Sequence, residues 1–311
     1  MATKTTHNGL DIYTIQSSDG KTRMSFVPEK GGAGSSLIVM HNGKERELLF
    51  IHDHFWDLKS KHLPGGWSFL FPICARIGRG GVEGSYLYDG KVYNMPIHGI
   101  AAYMPWQVLD DTKPDEITLV LTDTPKTLAM YPFNFKIELT YKISDNKLIC
   151  EQKYINTGNK PMPYYAGFHP YFLTPLLNQG KENVILDYHP VRHFKYNENM
   201  TDIIGEDELF KTPISVTSKN IHEQLVLLGD DKLLTVSYPD GLKLKMIVSS
   251  VEDKNMFSYV QVYSPADQPF VCVEPWMSFP NALNTVSGVR WLNPRQVELS
   301  VLELWVYGVK S

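Results

Sequence analysis

The segment "YYAGFHPYF" (164–172) sets one imidazole, His169, among aromatic rings, a glycine and a proline. A buried imidazole costs free energy unless its ring nitrogens find partners. His169 is therefore either a satisfied core histidine or a proton-active group at the floor of a pocket. Glu274, in "FVCVEPWMSFPNAL" (270–283), poses the matching question. Val273 and Trp276 would desolvate its carboxyl and raise its pKa, as a base working near neutrality requires. Pro275 lacks an N–H, so the strand is expected to stop there and leave Glu274 at a sheet edge or mouth. An exposed strand-end glutamate is the plainer alternative.

Two further segments offer groups that could hold a polyhydroxy ligand. In "GGWSFLFPICARIGRGG" (65–81) an apolar run ends in Arg76, with Arg79 shortly after. A guanidinium placed there suits ring hydroxyls or a carboxylate, and a structural ion pair would satisfy it equally. In "MPIHGIAAYMPWQV" (95–108), His98 precedes Gly99, the small residues Ala101 and Ala102, and the aromatic residues Tyr103 and Trp106. Small side chains beside a polar group leave room for a ligand, and aromatic faces stack on sugars. A turn histidine bonded to the backbone also fits.

Other chemistries lack their residues. "IHDHFWD" (51–57) with His62 suggests a metal site, His52 and His54 lying on one side of a strand. A cupin-like continuation would need a glutamate four or five positions after His54, where Leu58 and Lys59 stand. There is no H-E-x-x-H, C-x-x-C, phosphate-loop or G-x-S-x-G pattern, so no metal and no organic cofactor are expected.

The elements that must position these groups read as strands. "EITLVLTD" (116–123), "FKIELTYKIS" (135–144) and "KLICEQKYIN" (147–156) alternate apolar and polar residues, as half-buried strands do. "LLTVSYPDGLKLKMIVSS" (233–250) reads as two strands about Pro239-Asp240-Gly241, and "SYVQVYSP", "PFVCVEPW" and "VELSVLELWVYG" continue the pattern. The best short helical candidate is "GEDELF" (205–210). An all-β chain of antiparallel sheets packed face to face is predicted, as a single domain over residues 1–311. The net charge of −4 comes from 30 basic and 34 acidic residues with no basic block, which argues against a nucleic-acid partner. No run of 18 apolar residues exists, so no membrane span is expected. Cys74, Cys150 and Cys272 sit in apolar contexts and read as buried free thiols, which suits a reducing, cytoplasmic setting.

"FPICARIGRGG", "MPIHGIAAYMPWQV", "AGFHPYF" and "FVCVEPW" together resemble, in order and wording, the motifs of the aldose 1-epimerase (galactose mutarotase) family. The resemblance spans roughly residues 65 to 283. It implies a galactose mutarotase-like β-supersandwich with a small-molecule sugar on its concave face. It matches His169 to the family's general acid, Glu274 to its general base, and Arg76 and His98 to positions that hold sugar hydroxyls. The aspartate that many mutarotases use has no recognisable counterpart; Asp187 and Asp202 lie in unmarked contexts. The implied reaction is anomer exchange of a free aldohexose by acid/base ring opening. Three alternatives remain open. A hexose-6-phosphate 1-epimerase would seat phosphate on Arg76, Arg79 and Lys91. A non-catalytic sugar-binding protein could use the same scaffold. A glycoside hydrolase or lyase usually needs a second carboxylate, for which no candidate stands out.

Overall fold

The computed structural model describes residues 1–308 apart from 61, 250–252 and 254. Two large antiparallel sheets, of twelve and nine strands among the described residues, carry the chain. The alternating segments account for the smaller sheet. Phe135–Ser144 and Lys147–Asn156 pair along their full length as a hairpin, and Glu116–Thr122 lies against the first of them. Phe135, Ile137, Leu139, Tyr141 and Ile143 all point inward and are buried, because successive side chains of a strand face opposite sides. Leu233–Ser237 and Lys243–Ser249 pair about the Pro239-Asp240-Gly241 turn, and the last residue of that predicted segment lies outside the described residues.

The middle of the larger sheet departs from alternation. Trp67–Leu70, Gly167–Leu173, Phe270–Trp276 and Tyr259–Tyr263 are consecutive neighbours there. The first and third are buried at every position, as expected of strands covered on both faces. One face of the central pair (Phe168, Phe172, Val271, Val273) joins the main core between the sheets. On the other face, Tyr171, Cys272 and Phe270 form a separate apolar cluster with Phe50 and Tyr263. This cluster covers only part of the second face, and the remainder floors a cavity.

Two expectations are corrected. "GEDELF" is not helical: Ile203–Glu206 is a strand paired with Pro190–Tyr196. The α-helices among the described residues are Pro125–Met130 and the single turn Ala282–Thr285. The first is set by a capping box between Thr124 and Thr127 with proline in its first turn. The strand Phe270–Trp276 does not stop at Pro275, because Pro275 pairs with Val260 and Trp276 with Tyr259. No helix in the described residues is long and apolar enough to cross a membrane.

Candidate active site

The central strands bring His169 and Glu274 together through backbone register. Gly167 pairs with Trp276 and Tyr171 with Cys272. Stepping two residues inward from either pair sets His169 directly opposite Glu274. Directly opposed residues share a face, and His169 Nε2 lies 3.3 Å from Glu274 Oε1. Pro170 and Pro275, each lacking an N–H, fall in the stretch where no ladder pairs form between the two bracketing pairs. The next strands extend the row, with Ser68 opposite His169 and Gln261 opposite Glu274. Glu274 is thus central in the sheet and 1% exposed, not at an edge.

His169, Glu274 and Gln261 floor a cavity of about 750 Å³. His98 joins them from the side. His98 and Gly99 both adopt left-handed backbone (φ 63° and 78°), which histidine tolerates better than most residues and glycine readily. A Cβ at Gly99 would meet Phe71 O at 2.3 Å, so the turn also needs glycine for close approach. The turn presents His98 Nδ1 to Cys74 O at 2.9 Å and sets its ring edge-on to His169 at 5.1 Å. His98 is thus both the backbone-bonded turn histidine and a cavity residue. Trp276 closes the same end, its ring 5.9 Å from His98. Gly167 admits it, since a Cβ there would lie 2.7 Å from the indole and 2.8 Å from Cys74.

The electrostatics follow from burial. Burial pushes the Glu274 carboxyl well above its ordinary range, against a smaller downward pull from the Trp276 indole N–H. Burial also drives His169 well below the ordinary imidazole range, assisted by repulsion from His98 and His52. His98 falls to about 4 through burial, opposed by its bond to Cys74 O. A 3.3 Å contact would favour a charged pair, yet both directions favour neutral partners, and we assign the resting proton to the carboxyl. Three buried polar atoms around this floor make no well-formed hydrogen bond among the described residues: His169 Nδ1, Glu274 Oε2 and Trp276 Nε1. Buried polar groups are normally satisfied, so the floor is built to receive hydrogen-bonding groups.

One nitrogen each from His98 and His169 and one Glu274 oxygen lie within 4.8 Å of one another. Two imidazoles and a carboxylate are a donor set that zinc accepts. The same atoms are also placed to exchange protons with a hydroxylated ligand.

Arg76 reaches the cavity but donates to Glu83 at 2.7 Å, so the ion pair and the cavity position coexist. Arg79 is exposed on the small hairpin Gly78–Arg79/Val82–Glu83, and Lys91 lies over the Tyr93 ring at 5.0 Å; neither lines the cavity. Ala101 and Ala102 make no room for a ligand: the Ala102 backbone packs against Gly31, whose Cβ would clash with it. Tyr103 lines the cavity, while Trp106 is core, bonded to Ala101 O and packed on Phe69.

The chain matches the Aldose 1-epimerase family model over residues 12–285. The chain belongs to the aldose 1-epimerase family. Solved structures similar to this family member include a protein from Synechocystis sp. PCC 6803, at 25% identity and TM-score 0.79, with 95% of each chain covered. A galactose mutarotase-like protein from Clostridium acetobutylicum shares 18% identity and the fold, with TM-score 0.78 and 98% of each chain covered. A galactose 1-epimerase from Lactobacillus acidophilus NCFM shares 13% identity, with TM-score 0.73 and coverage of 98% of this chain and 97% of that one. No curated protein matches the chain. The galactose mutarotase-like fold expected of an aldose 1-epimerase family member is thus present.

Several cavity residues of this aldose 1-epimerase family member were not legible in the sequence. Gln261 faces the floor and accepts from the Tyr196 hydroxyl at 2.7 Å. His52 and His54 also line the cavity, though not on a strand: Asp53–Trp56 is a 3-10 turn, and the two rings stack at 5.0 Å. Neither Asp187 nor Asp202 lines the cavity. Asp187 is exposed on the smaller sheet, and Asp202 accepts from Asn281 at 2.6 Å. A glutamine alone among apolar residues in "SYVQVYSP" was the available signal for Gln261.

Proposed function

We propose that the protein interconverts the α and β anomers of a free aldohexose by general acid/base ring opening. The observation that carries this reading is the opposed pair His169–Glu274 in one cavity, at 3.3 Å. The C1 hydroxyl and the ring oxygen of a pyranose are attached to the same carbon, so two groups in contact can address one each. In this reading the proton first passes from the Glu274 carboxyl to His169 across their contact, as sugar hydroxyls bond to the carboxylate. Glu274 then takes the C1 hydroxyl proton while His169 protonates the ring oxygen, and the C1–O5 bond breaks to give the open aldehyde. Rotation about C1–C2 presents the other face of the carbonyl. Closure reverses both transfers and restores the starting protonation. His98, with Nδ1 held by Cys74 O, keeps Nε2 free for a sugar hydroxyl, and Arg76 can donate to another.

A phosphorylated substrate is less well served. Among the described residues, Arg76 alone of the lysines and arginines lines the cavity, and it is paired with Glu83, whereas Glu223 and Asp267 add negative charge to the wall. The test is polarimetry on fresh α-glucose, α-galactose and glucose 6-phosphate with a chelator present. Accelerated equilibration of a free sugar, lost in His169→Asn with unchanged circular dichroism, supports the reading. Sugar binding without acceleration would make the protein a non-catalytic binder. A rate that the chelator abolishes would move the chemistry to a metal on His98, His169 and Glu274.

A further inference from the structure

The groups placed to move protons also have the geometry of a metal site. His169 Nε2 and Glu274 Oε1 stand 3.3 Å apart. Two ligands bound to one tetrahedral zinc at about 2.0–2.1 Å are themselves roughly 3.3 Å apart, so this pair already spans one edge of the tetrahedron. His98 supplies a third corner, since a nitrogen from each imidazole and a Glu274 oxygen all lie within 4.8 Å of one another. The longer edges must shorten by on the order of 1 Å, which side-chain rotation supplies. His98 is also held as a metal ligand is held. Its Nδ1–H donates to Cys74 O at 2.9 Å, which fixes the ring and leaves the Nε2 lone pair free. Metal-binding histidines ordinarily have their other ring nitrogen anchored in this way. His169 and Glu274 are both more than nine-tenths buried, and His169 Nδ1 and Glu274 Oε2 make no well-formed hydrogen bond among the described residues.

The charges around the cavity favour a cation. Glu223 and Asp267 line it, and the guanidinium of Arg76 is offset by Glu83 at 2.7 Å. Asp267 stands on the outer wall, in a segment fastened by the buried Lys181, which donates to Pro265 O, Gln268 O and Phe270 O at 2.6, 2.7 and 2.9 Å. That ammonium does not itself line the cavity. Calcium and magnesium need sets of oxygen ligands, whereas two imidazoles with one carboxylate suit zinc.

We propose that the cavity floor is an inhibitory zinc site, in which His98, His169 and Glu274 hold the ion and its fourth position faces the cavity. The ion occupies the two atoms that exchange protons with the sugar, so zinc and sugar exclude each other. As the Glu274 oxygen takes the ion, its proton leaves to solvent. The inhibition rests on the acid/base reading, whereas binding of the ion stands without it. The test is calorimetric titration of zinc into chelator-stripped protein, with cobalt(II) absorption to read coordination and polarimetry on α-glucose to read inhibition. The expected result is one zinc per chain with a Kd below about 100 µM, a cobalt band of four-coordinate intensity, and inhibition that excess glucose or chelator relieves. Magnesium should do none of this. His98→Asn should weaken zinc at least tenfold with unchanged circular dichroism, since asparagine tolerates the left-handed backbone at 98. His54→Ala, on the outer wall, should leave the affinity unchanged. Absence of binding to the wild-type protein overturns the site whatever the variants do. A loss in His54→Ala as large as in His98→Asn also overturns it, by moving the ion to the outer histidines. Anomer exchange that bound zinc leaves untouched overturns the inhibition. Zinc bound as expected by a stripped protein that exchanges no anomers would refute the acid/base reading and leave the metal site standing.

Discussion

Glu274→Gln separates the chemistry from the fold, because the carboxyl has opposite effects on the two. Its oxygen lies 3.3 Å from His169, and the side chain is 1% exposed. Glutamine keeps the shape and can turn its NH2 to His169 Nε2 and its carbonyl to the Trp276 N–H. It cannot take a proton from a sugar hydroxyl. Losing one proton transfer costs roughly 10²–10⁴-fold, or about 3–5 kcal/mol of barrier. Stability should move the other way. The folded-state pKa of Glu274 is raised above the ordinary 4.5. The burial is therefore best tolerated below pH 4.5, and stability is lost as pH rises through the raised value. Glutamine has no charge to bury, so the variant should melt at or above the wild-type temperature at pH 8, with the difference vanishing near pH 4. Polarimetry on α-glucose and melting by circular dichroism at the two pH values measure both. A rate within tenfold of wild type would refute the role of Glu274, and a melting temperature below wild type at pH 8 would refute the burial argument.

Three further outcomes are expected. The rate should show a bell-shaped pH profile, since only the singly protonated His169–Glu274 pair can act; its acid limb should fall below the ordinary imidazole range and its alkaline limb above the ordinary carboxyl range, as the two shifts require. His98, lowered from 6.5 to about 4, should contribute stability that is full above pH 6.5 and is lost as pH falls toward 4, by up to roughly 3 kcal/mol; urea unfolding at pH 7 and pH 4 should show a smaller acid loss in His98→Asn. Gly167→Ala puts a methyl against Trp276 and Cys74 and should cost about 1–3 kcal/mol while lowering kcat through displacement of Trp276; an unchanged melting temperature would contradict the tight approach.

The strands with one dry face were readable because their alternation is written locally, and Phe135–Ser144 and Lys147–Asn156 match the predicted segments to the residue. The catalytic candidates were readable by type, since an imidazole among rings and a carboxyl before Pro-Trp have few uses. Their partnership was not readable, because pairing register between distant segments leaves no local trace. Pro275 misled for the same reason: a proline ends a ladder only if its N–H would have been used, and here the neighbouring strand still pairs across it. The small side chains of Ala101 and Ala102 suggest space for a ligand, but small residues serve close backbone approach equally well. His52 and His54 lack the spacing of a metal motif, and their stacked rings mark a wall of the cavity.

The opposed pair at the floor is held by the hydrogen-bonded middle of a twelve-stranded sheet, while the outer wall hangs on one buried ammonium, that of Lys181. In the proposed reading, the acid/base pair and the cavity's outer wall therefore stand on separate scaffolds. On that reading, exchange of the 263–268 and 52–56 segments should change which sugar is accepted and leave proton transfer at the floor intact.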